Sequence, residues 1–581
     1  MDDGTTGRVA ACDVLVVGSG IAGVAAAIEA AHAGARVTLA CAGRLFSGSS
    51  FYPGTWGLGL IGPRDEEDAD DLARTICEVG CGMADPALVR TLVAGILPGI
   101  AWLEGLGVEL RRPESEESAR EAAFIPCFDH HVRLWRGLER ASMERAFRAE
   151  LQRLGVRVRE RCELLDVIEG DAPAAGCPPR VAGALLHDMV AGRLSTLRCG
   201  AVVLAAGGTS GLLPQRLTSG DVLGSAHGIA LAHGCSAVNV EFMQMMPGLV
   251  APKRGLVFNE KTFRYLDEAG FAETGLPVGE PLRALLEQRS GHGPFTARLE
   301  DRAIDLAIAA AGPHGLAARY RFPGHEVPEF VRTFAAWLEG EQGIARDAEL
   351  HVALYAHASN GGIRIDSDGR TELPGLFAGG EVAGGMHGAD RLGGLSSANG
   401  LVFGRRAGRA AGAWAAAVGA DGVALPEIPE LLRGVVPCAS AEADKLLHEL
   451  RTAMGTACLV NRNECGLKEA QAVLQGLAAG LREAGNGRTD SRYACRDAGS
   501  GVARAMRLRA QLLTAQAMVC AMRSRRESRG AHHRSDFSLQ DAAFDAPRDV
   551  RLAGNAVHSA PIGSDAPRSW ASTENLQPWG A

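Results

Sequence analysis

Apolar positions in this chain come as short solid runs in the first four hundred residues and as helical stripes after them. Residues Val14 to Val17 are apolar at every position, as in a strand buried on both faces of a parallel sheet. An Ala-rich helical stretch follows and stops at Gly34, and residues 36–40 (RVTLA) read as the next strand. Residues 198–208 (RCGAVVLAAGG) read as another buried strand whose end, Gly207-Gly208, returns the chain to the same edge. A Pro/Gly/Ala turn at 171–179 separates two strands.

From about 246 the composition shifts toward charge and aromatics. Residues 281–289 and 298–312 are patterned as helices, so 246–345 reads as an inserted domain. The chain returns over 346–425, where Asp368-Gly369 is a hairpin turn signal. Residues 441–454, 466–484 and 502–528 are amphipathic at helical spacing, so 436–545 reads as a helical domain. The Pro/Ser/Gly-rich tail, 546–581, is expected to be irregular. The resulting fold class is α/β, with a Rossmann-like nucleotide-binding domain in two parts, 1–245 and 346–425.

Two segments carry chemistry. Gly18, Gly20 and Gly23 have G-x-G-x-x-G spacing between a strand and a helix. That context predicts a tight turn, close approach of a pyrophosphate, and a helix N-terminus aimed at it. The acid expected at the end of the second strand, for a ribose hydroxyl, is absent; Cys41 stands near that place. The second segment, 375–408, packs Glu381, His387 and Arg391 among glycines and then starts a small-residue helix near Ser396. It reads as backbone laid against a flat, electron-rich group with a cation beside it.

With 581 residues, two to four domains are expected. The 74 glycines accompany 46% apolar residues, which suits close backbone approach rather than disorder. A net charge of −8 gives no nucleic-acid surface. None of the 14 cysteines forms a C-x-x-C pair, so no zinc or cluster site is expected and the thiols read as reduced, in a cytoplasmic protein. The N-terminal MDDGTTGRVAACD lacks a signal core, and no uninterrupted apolar segment reaches about 18 residues, so no membrane insertion is expected.

These pieces together resemble the flavoprotein family of L-aspartate oxidase, fumarate reductase and the succinate dehydrogenase flavoprotein subunit. The resemblance rests on the Gly18–Gly23 loop, GSSFY at 48–52, LAAGG at 204–208, EFMQ at 241–244 and SNGGIRID at 359–366. It continues through GEVAGGMHGADRLGG at 380–394 and RRESRGAHHRSDF at 525–537. It implies FAD, an α+β capping domain at 246–345, and hydride transfer between flavin N5 and a carbon next to a carboxylate. The cofactor set it implies is Gly18, Gly20, Gly23, Cys41, Ser49, Ser50, Gly207, Gly208, Asp221, Glu381 and Ser396. Arg391, accompanied by His387, is expected to grip a substrate carboxylate. Glu260 matches the family's capping-domain acid, and Arg298, with Arg302 as a second candidate, its proton donor. His357 is offset by one residue from the family's His, whose place is taken by Ala358.

Met246 stands where the family has His before Pro, and Asp390 where it has Asn. With polar groups lost at 246 and 358, a retained flavin site and an altered substrate are expected. No His occurs at 48–52, which implies noncovalent FAD and the L-aspartate oxidase branch. The leading expectation is an oxidoreductase acting on a small amino acid or organic acid. The alternatives are a fumarate-reductase-like enoate reductase and an electron-transfer subunit with a degenerate pocket.

Overall fold

The structure, a computed structural model, describes residues 10–120, 127–170, 179–323, 327–419, 424–483 and 496–562. A parallel sheet forms its centre, in the order Leu376–Ala378, Ala201–Leu204, Val14–Val17, Val37–Cys41, Arg157–Glu160. The inner strands are buried along their whole length, which explains their solid apolar runs. Two helices far apart in sequence, Ile21–His32 and Leu395–Val418, pack against each other beside this sheet. The strand at 376–378 pairs with 202–204, so the Gly-rich run after it emerges next to the Gly18–Gly23 loop. Cys162–Gly170, Arg180–Asp188 and Arg193–Arg198 form an antiparallel sheet with Ala10–Ala11 at its edge. The turn expected at 171–179 lies, apart from Pro179, outside the described residues.

The inserted segment is entered and left by paired strands. Met243–Ala251 runs antiparallel to Leu350–Ser359, and Leu256–Val257 and Leu316–Ala318 complete a four-stranded sheet. Glu280–Arg289, Arg302–Ala310 and Glu329–Gly340 bury Leu286, Ile304 and Phe334 in the same apolar core. The helices Ser440–Ala457, Glu464–Glu483 and Arg496–Ser524 pack on one another and extend that core.

Two expectations need correction. The tail read as irregular, 546–581, forms a hairpin over its described part: Arg548–Ala553 pairs with Ala556–Pro561. Gly554, at φ +58, makes the turn. The first strand also pairs with Ala237–Val238 and buries Val550 completely. The Pro/Ser/Gly content of the longer tail conceals this short alternating stretch. Asp368-Gly369 does make a turn, with Asp366 accepting from the Asp368 and Arg370 backbone N–H groups. The strands on either side of it join different sheets, however, so the turn closes no hairpin between them. One helix, Pro86–Gly105, is 20 residues long with mean hydropathy 1.5, enough by length and composition to cross a bilayer. In the fold one face of it is buried, with Gly95 and Gly99 set against Val402 and Leu401.

Candidate active site

The Gly18–Gly23 loop forms one wall of a cavity of about 1360 Å³, open mouth included. Gly18 lies at φ +109, and a Cβ there would collide with the Ala205 carbonyl; one on Gly23 would collide with the Gly18 carbonyl. Gly20 precedes the Ile21–His32 helix and offers no side-chain cap, so the first-turn N–H groups face the cavity. Of these, the Ile21 N–H donates to Ser50 Oγ at 3.3 Å. Ser49 Oγ, from the same short helix Ser49–Phe51, is buried without a partner. Free N–H groups at a positive dipole end, with an orphan hydroxyl beside them, fit a pyrophosphate.

Cys41, at the end of its strand, lines the cavity as a thiol. Burial pushes it up to about 11, and its Sγ–H points to the Arg159 carbonyl at 3.7 Å. An acid does reach this corner, from a distant segment: Asp221 accepts from Ser47 Oγ and Ser219 Oγ and lies beside Gly43. Gly207, Asp221, Glu381 and Ser396 line the same cavity. Glu381 accepts from the Ser359 N–H at 2.9 Å, burial pushes its carboxyl up, and Gly208 packs directly against it. Ser396 opens the Leu395–Val418 helix, so a second helix N-terminus meets the first across the cavity.

Arg391 is buried just behind this cavity. Its Nε and Nη2 donate to Gln244 Oε1 at 3.0 and 2.8 Å, and its Nη1 donates to the Leu392 carbonyl at 3.0 Å. Both acceptors are neutral, and burial pushes the guanidinium down to about 10. Its charge acts on Glu381 and on His357, both of which line the cavity. His357 is pushed down to about 4 by burial and then by Arg391. His387 is pushed well below its usual range by the same causes, and its Nε2 accepts from Asn399 Nδ2 at 3.3 Å. Both histidines are therefore neutral.

Glu260 joins this group through a residue that the sequence did not single out. The Cys127 thiol donates to Glu260 Oε1 at 3.3 Å, and its sulfur lies against Gly293 and Gly393. Burial pushes that thiol up to about 12, so it stays protonated. No motif marks Cys127. Gln244, the last residue of the EFMQ motif, could have been singled out as the amide that orients Arg391.

Arg298 is placed differently. Its Nε donates to Asp390 Oδ2 at 2.9 Å, and its guanidinium lies 5.5 Å from the Phe128 ring centre. Burial lowers its pKa, but Asp390 and Cys81 together more than offset that, and the net shift is upward. Thr296 Oγ1 donates to the same carboxylate at 2.7 Å. Asp390 therefore commits Arg298 to an ion pair. Arg302 donates to the Leu299 carbonyl at 3.1 Å. Among the described residues one group brings three metal-ligating atoms within 4.8 Å of one another, Asp71 with His130 and His131, at the surface. Its carboxylate already accepts from Arg133 at 2.6 Å.

Comparison with known proteins identifies the family and the fold. Residues 13–397 match the FAD binding domain family, and residues 447–550 match the fumarate reductase flavoprotein C-terminal family. The chain is 30% identical to an L-aspartate oxidase of Caulobacter vibrioides over 551 residues, covering 91% of this chain and 94% of that protein. It is 27% identical to one of the subunits of the fumarate reductase (CoM/CoB) of Methanothermobacter marburgensis, covering 90% of this chain and 94% of that protein. The FrdA chain of E. coli quinol fumarate reductase has the same fold, with a TM-score of 0.73 at 22% identity over 96% of this chain and 98% of that one.

Proposed function

The chain belongs to the family of FAD-dependent oxidoreductases that contains L-aspartate oxidases and fumarate reductase flavoproteins, and on that premise we propose that it transfers a hydride at a carbon next to a carboxylate of a small amino or organic acid. The observation that carries this reading is Arg391. It is a buried cation whose hydrogen bonds go to a neutral amide and a carbonyl, with no acid in ion-pairing distance among the described residues. Glu381 acts on this charge only from beyond ion-pairing distance; a buried charge without a close partner is costly, and a bound carboxylate would supply one.

The Gly18–Gly23 loop and the Ile21–His32 N-terminus would hold the FAD pyrophosphate. Glu381 and Asp221 would take sugar hydroxyls, and the Leu395–Val418 N-terminus would lie near the flavin ring. Bound there, the flavin supplies the two-electron carrier. The residues then do the rest. Arg391 binds and orients the carboxylate, and Gln244 fixes the guanidinium. Neutral His357 lines the cavity, and neutral His387 is buried against Asn399. Arg298, charged and tied to Asp390, is poorly placed to give up a proton, whereas the Glu260–Cys127 pair sits beside Arg391. The domain limits, with capping at 246–345, the noncovalent cofactor and the cytoplasmic location all belong to this proposal. Acid precipitation of the yellow protein should release intact FAD into the supernatant; flavin retained in the pellet would contradict noncovalent binding.

A further inference from the structure

We propose that Asp71, His130 and His131 form a surface site for a transition-metal ion of the Zn2+ class, and that the ion pins the turn at 127–133 to the helix Glu66–Val79. Asp71 stands on that helix, and the two histidines follow Asp129 in the turn. Asp129 Oδ1 accepts from the backbone N–H groups of His130 and His131, at 2.8 and 3.1 Å. The two rings lie side by side, their centres 4.1 Å apart. His131 Nδ1 is 3.0 Å from Asp71 Oδ2, and His130 Nε2 is 3.7 Å from the same oxygen. The three ligand atoms fall within 4.8 Å of one another. In a tetrahedral Zn2+ site, with bonds of about 2.0–2.2 Å, neighbouring ligand atoms are about 3.4 Å apart. The two distances bracket that spacing, so an ion enters with small side-chain adjustments.

The donor set selects the ion. Two imidazoles and a carboxylate suit Zn2+ and its neighbours, whereas Mg2+ and Ca2+ favour oxygen ligands. Both histidines are about half exposed, which leaves the remaining positions to water. The carboxylate is already oriented. Buried Arg133 donates to Asp71 Oδ2 at 2.6 Å and is itself held by both oxygens of Asp129, at 2.9 and 3.0 Å. Arg74 takes the other Asp71 oxygen, Oδ1, at 3.2 Å. An ion replaces the His131 hydrogen bond on Oδ2 and leaves Arg133 as the outer group that fixes the ligand. The turn also reaches the candidate active site. The Cys127 thiol donates to Glu260 Oε1 at 3.3 Å, and Phe128 lies against the Arg298 guanidinium and stacks on His292. Phe128 is at φ +70, a costly conformation for a bulky residue. A bound ion ties this strained turn down and stiffens the support of Glu260 and Arg298.

The test uses the FAD-loaded full chain, freed of metal with a chelator and titrated calorimetrically with Zn2+ alone. One equivalent should bind at micromolar concentration or tighter, undisturbed by millimolar Mg2+ or Ca2+. His130→Ala combined with His131→Ala should weaken it at least tenfold, while Cys465→Ser, at the exposed thiol, should leave it unchanged. Co2+ in the site should show the visible bands of nitrogen and oxygen ligands without a thiolate band. The Zn2+-loaded protein should unfold at a higher temperature than the metal-free protein, and the difference should vanish in the double variant. Should the double variant lose its flavin absorbance, His130→Ala alone decides by the same tenfold criterion. Failure to bind one equivalent, or binding that survives loss of the histidines, would overturn the site and reduce the cluster to a surface hydrogen bond. Binding with no change in unfolding temperature would overturn the pinning of the turn.

Discussion

At the scale of single residues, the site divides its work between groups that hold the cofactor and one cation that does not. The Gly18–Gly23 loop sits on the central sheet, while Arg391 is fixed by Gln244 on the strand that leads into the cap. The two can be separated by substitution. Arg391→Lys keeps a positive charge but loses the fork that spans Gln244 and the Leu392 carbonyl. FAD content should stay near that of the parent protein. Flavin reduction or reoxidation by the acid that turns over should fall at least tenfold, since a charged hydrogen bond contributes about 1.5–3 kcal/mol. Anaerobic single turnover beside the flavin absorbance reads both; a variant that keeps FAD and full turnover removes Arg391 from the reaction. Arg391 could be read from its Gly-rich surroundings. Arg298 could not be placed the same way, because its guanidinium is held by Asp390, far along the chain. A buried carboxylate acts across a fold, and its reach is invisible along a sequence.

At the scale of elements, the contact that matters most for the cofactor is the crossing of Ile21–His32 and Leu395–Val418. Each supplies an N-terminus to the cavity. The second helix presents Gly400, Gly404 and Gly408 at intervals of four, one face of the helix. A Cβ on Gly404 would collide with the Ala22 carbonyl and one on Gly408 with that of Ala26. The backbones therefore touch, and any side chain at 404 forces the helices apart. Gly404→Val should cost about 1–3 kcal/mol or more through overpacking. It should also weaken FAD binding, because both N-termini move. Gly476, on the Glu464–Glu483 helix with open space where its Cβ would be, is the control. Thermal unfolding and bound-flavin content of the purified variants test this; equal loss at 404 and 476 would show that the crossing does not set the effect. The small-residue helix was legible as a pattern, but its partner was not. Pairing between residues 22 and 404 is set by strand order, which periodicity does not carry.

At the scale of the whole molecule, the C-terminal chain returns to brace what the first half began. Arg525, fully buried, donates to Glu241 Oε1 at 2.7 Å, just before the strand that leads into the cap, and to Glu527 Oε1 at 2.7 Å. Arg529 donates to the same Glu527 and to the Cys81 carbonyl. The family-like segment 525–537 is thus a charged keystone between the helical domain and the cofactor domain, not a part of the cavity wall. The hairpin Arg548–Ala553 with Ala556–Pro561 extends the same bracing, pairing with Ala237–Val238 and inserting Val550 into the core that the cap and the helices share. Ending the chain at Pro547 should therefore lower stability without touching the cavity. Full burial of one Val contributes about 1.5–3 kcal/mol, and the strand at 237–238 would lose its backbone partner as well. In a chain of 581 residues that is a fall in unfolding temperature of a few degrees. FAD affinity at low temperature should be unchanged, because among the described residues none beyond 547 lines the cavity. An unfolding temperature equal to that of the full chain would show that the hairpin is an ornament of the sheet and that contacts such as Arg525–Glu241 and Arg529–Cys81 join the two halves without it.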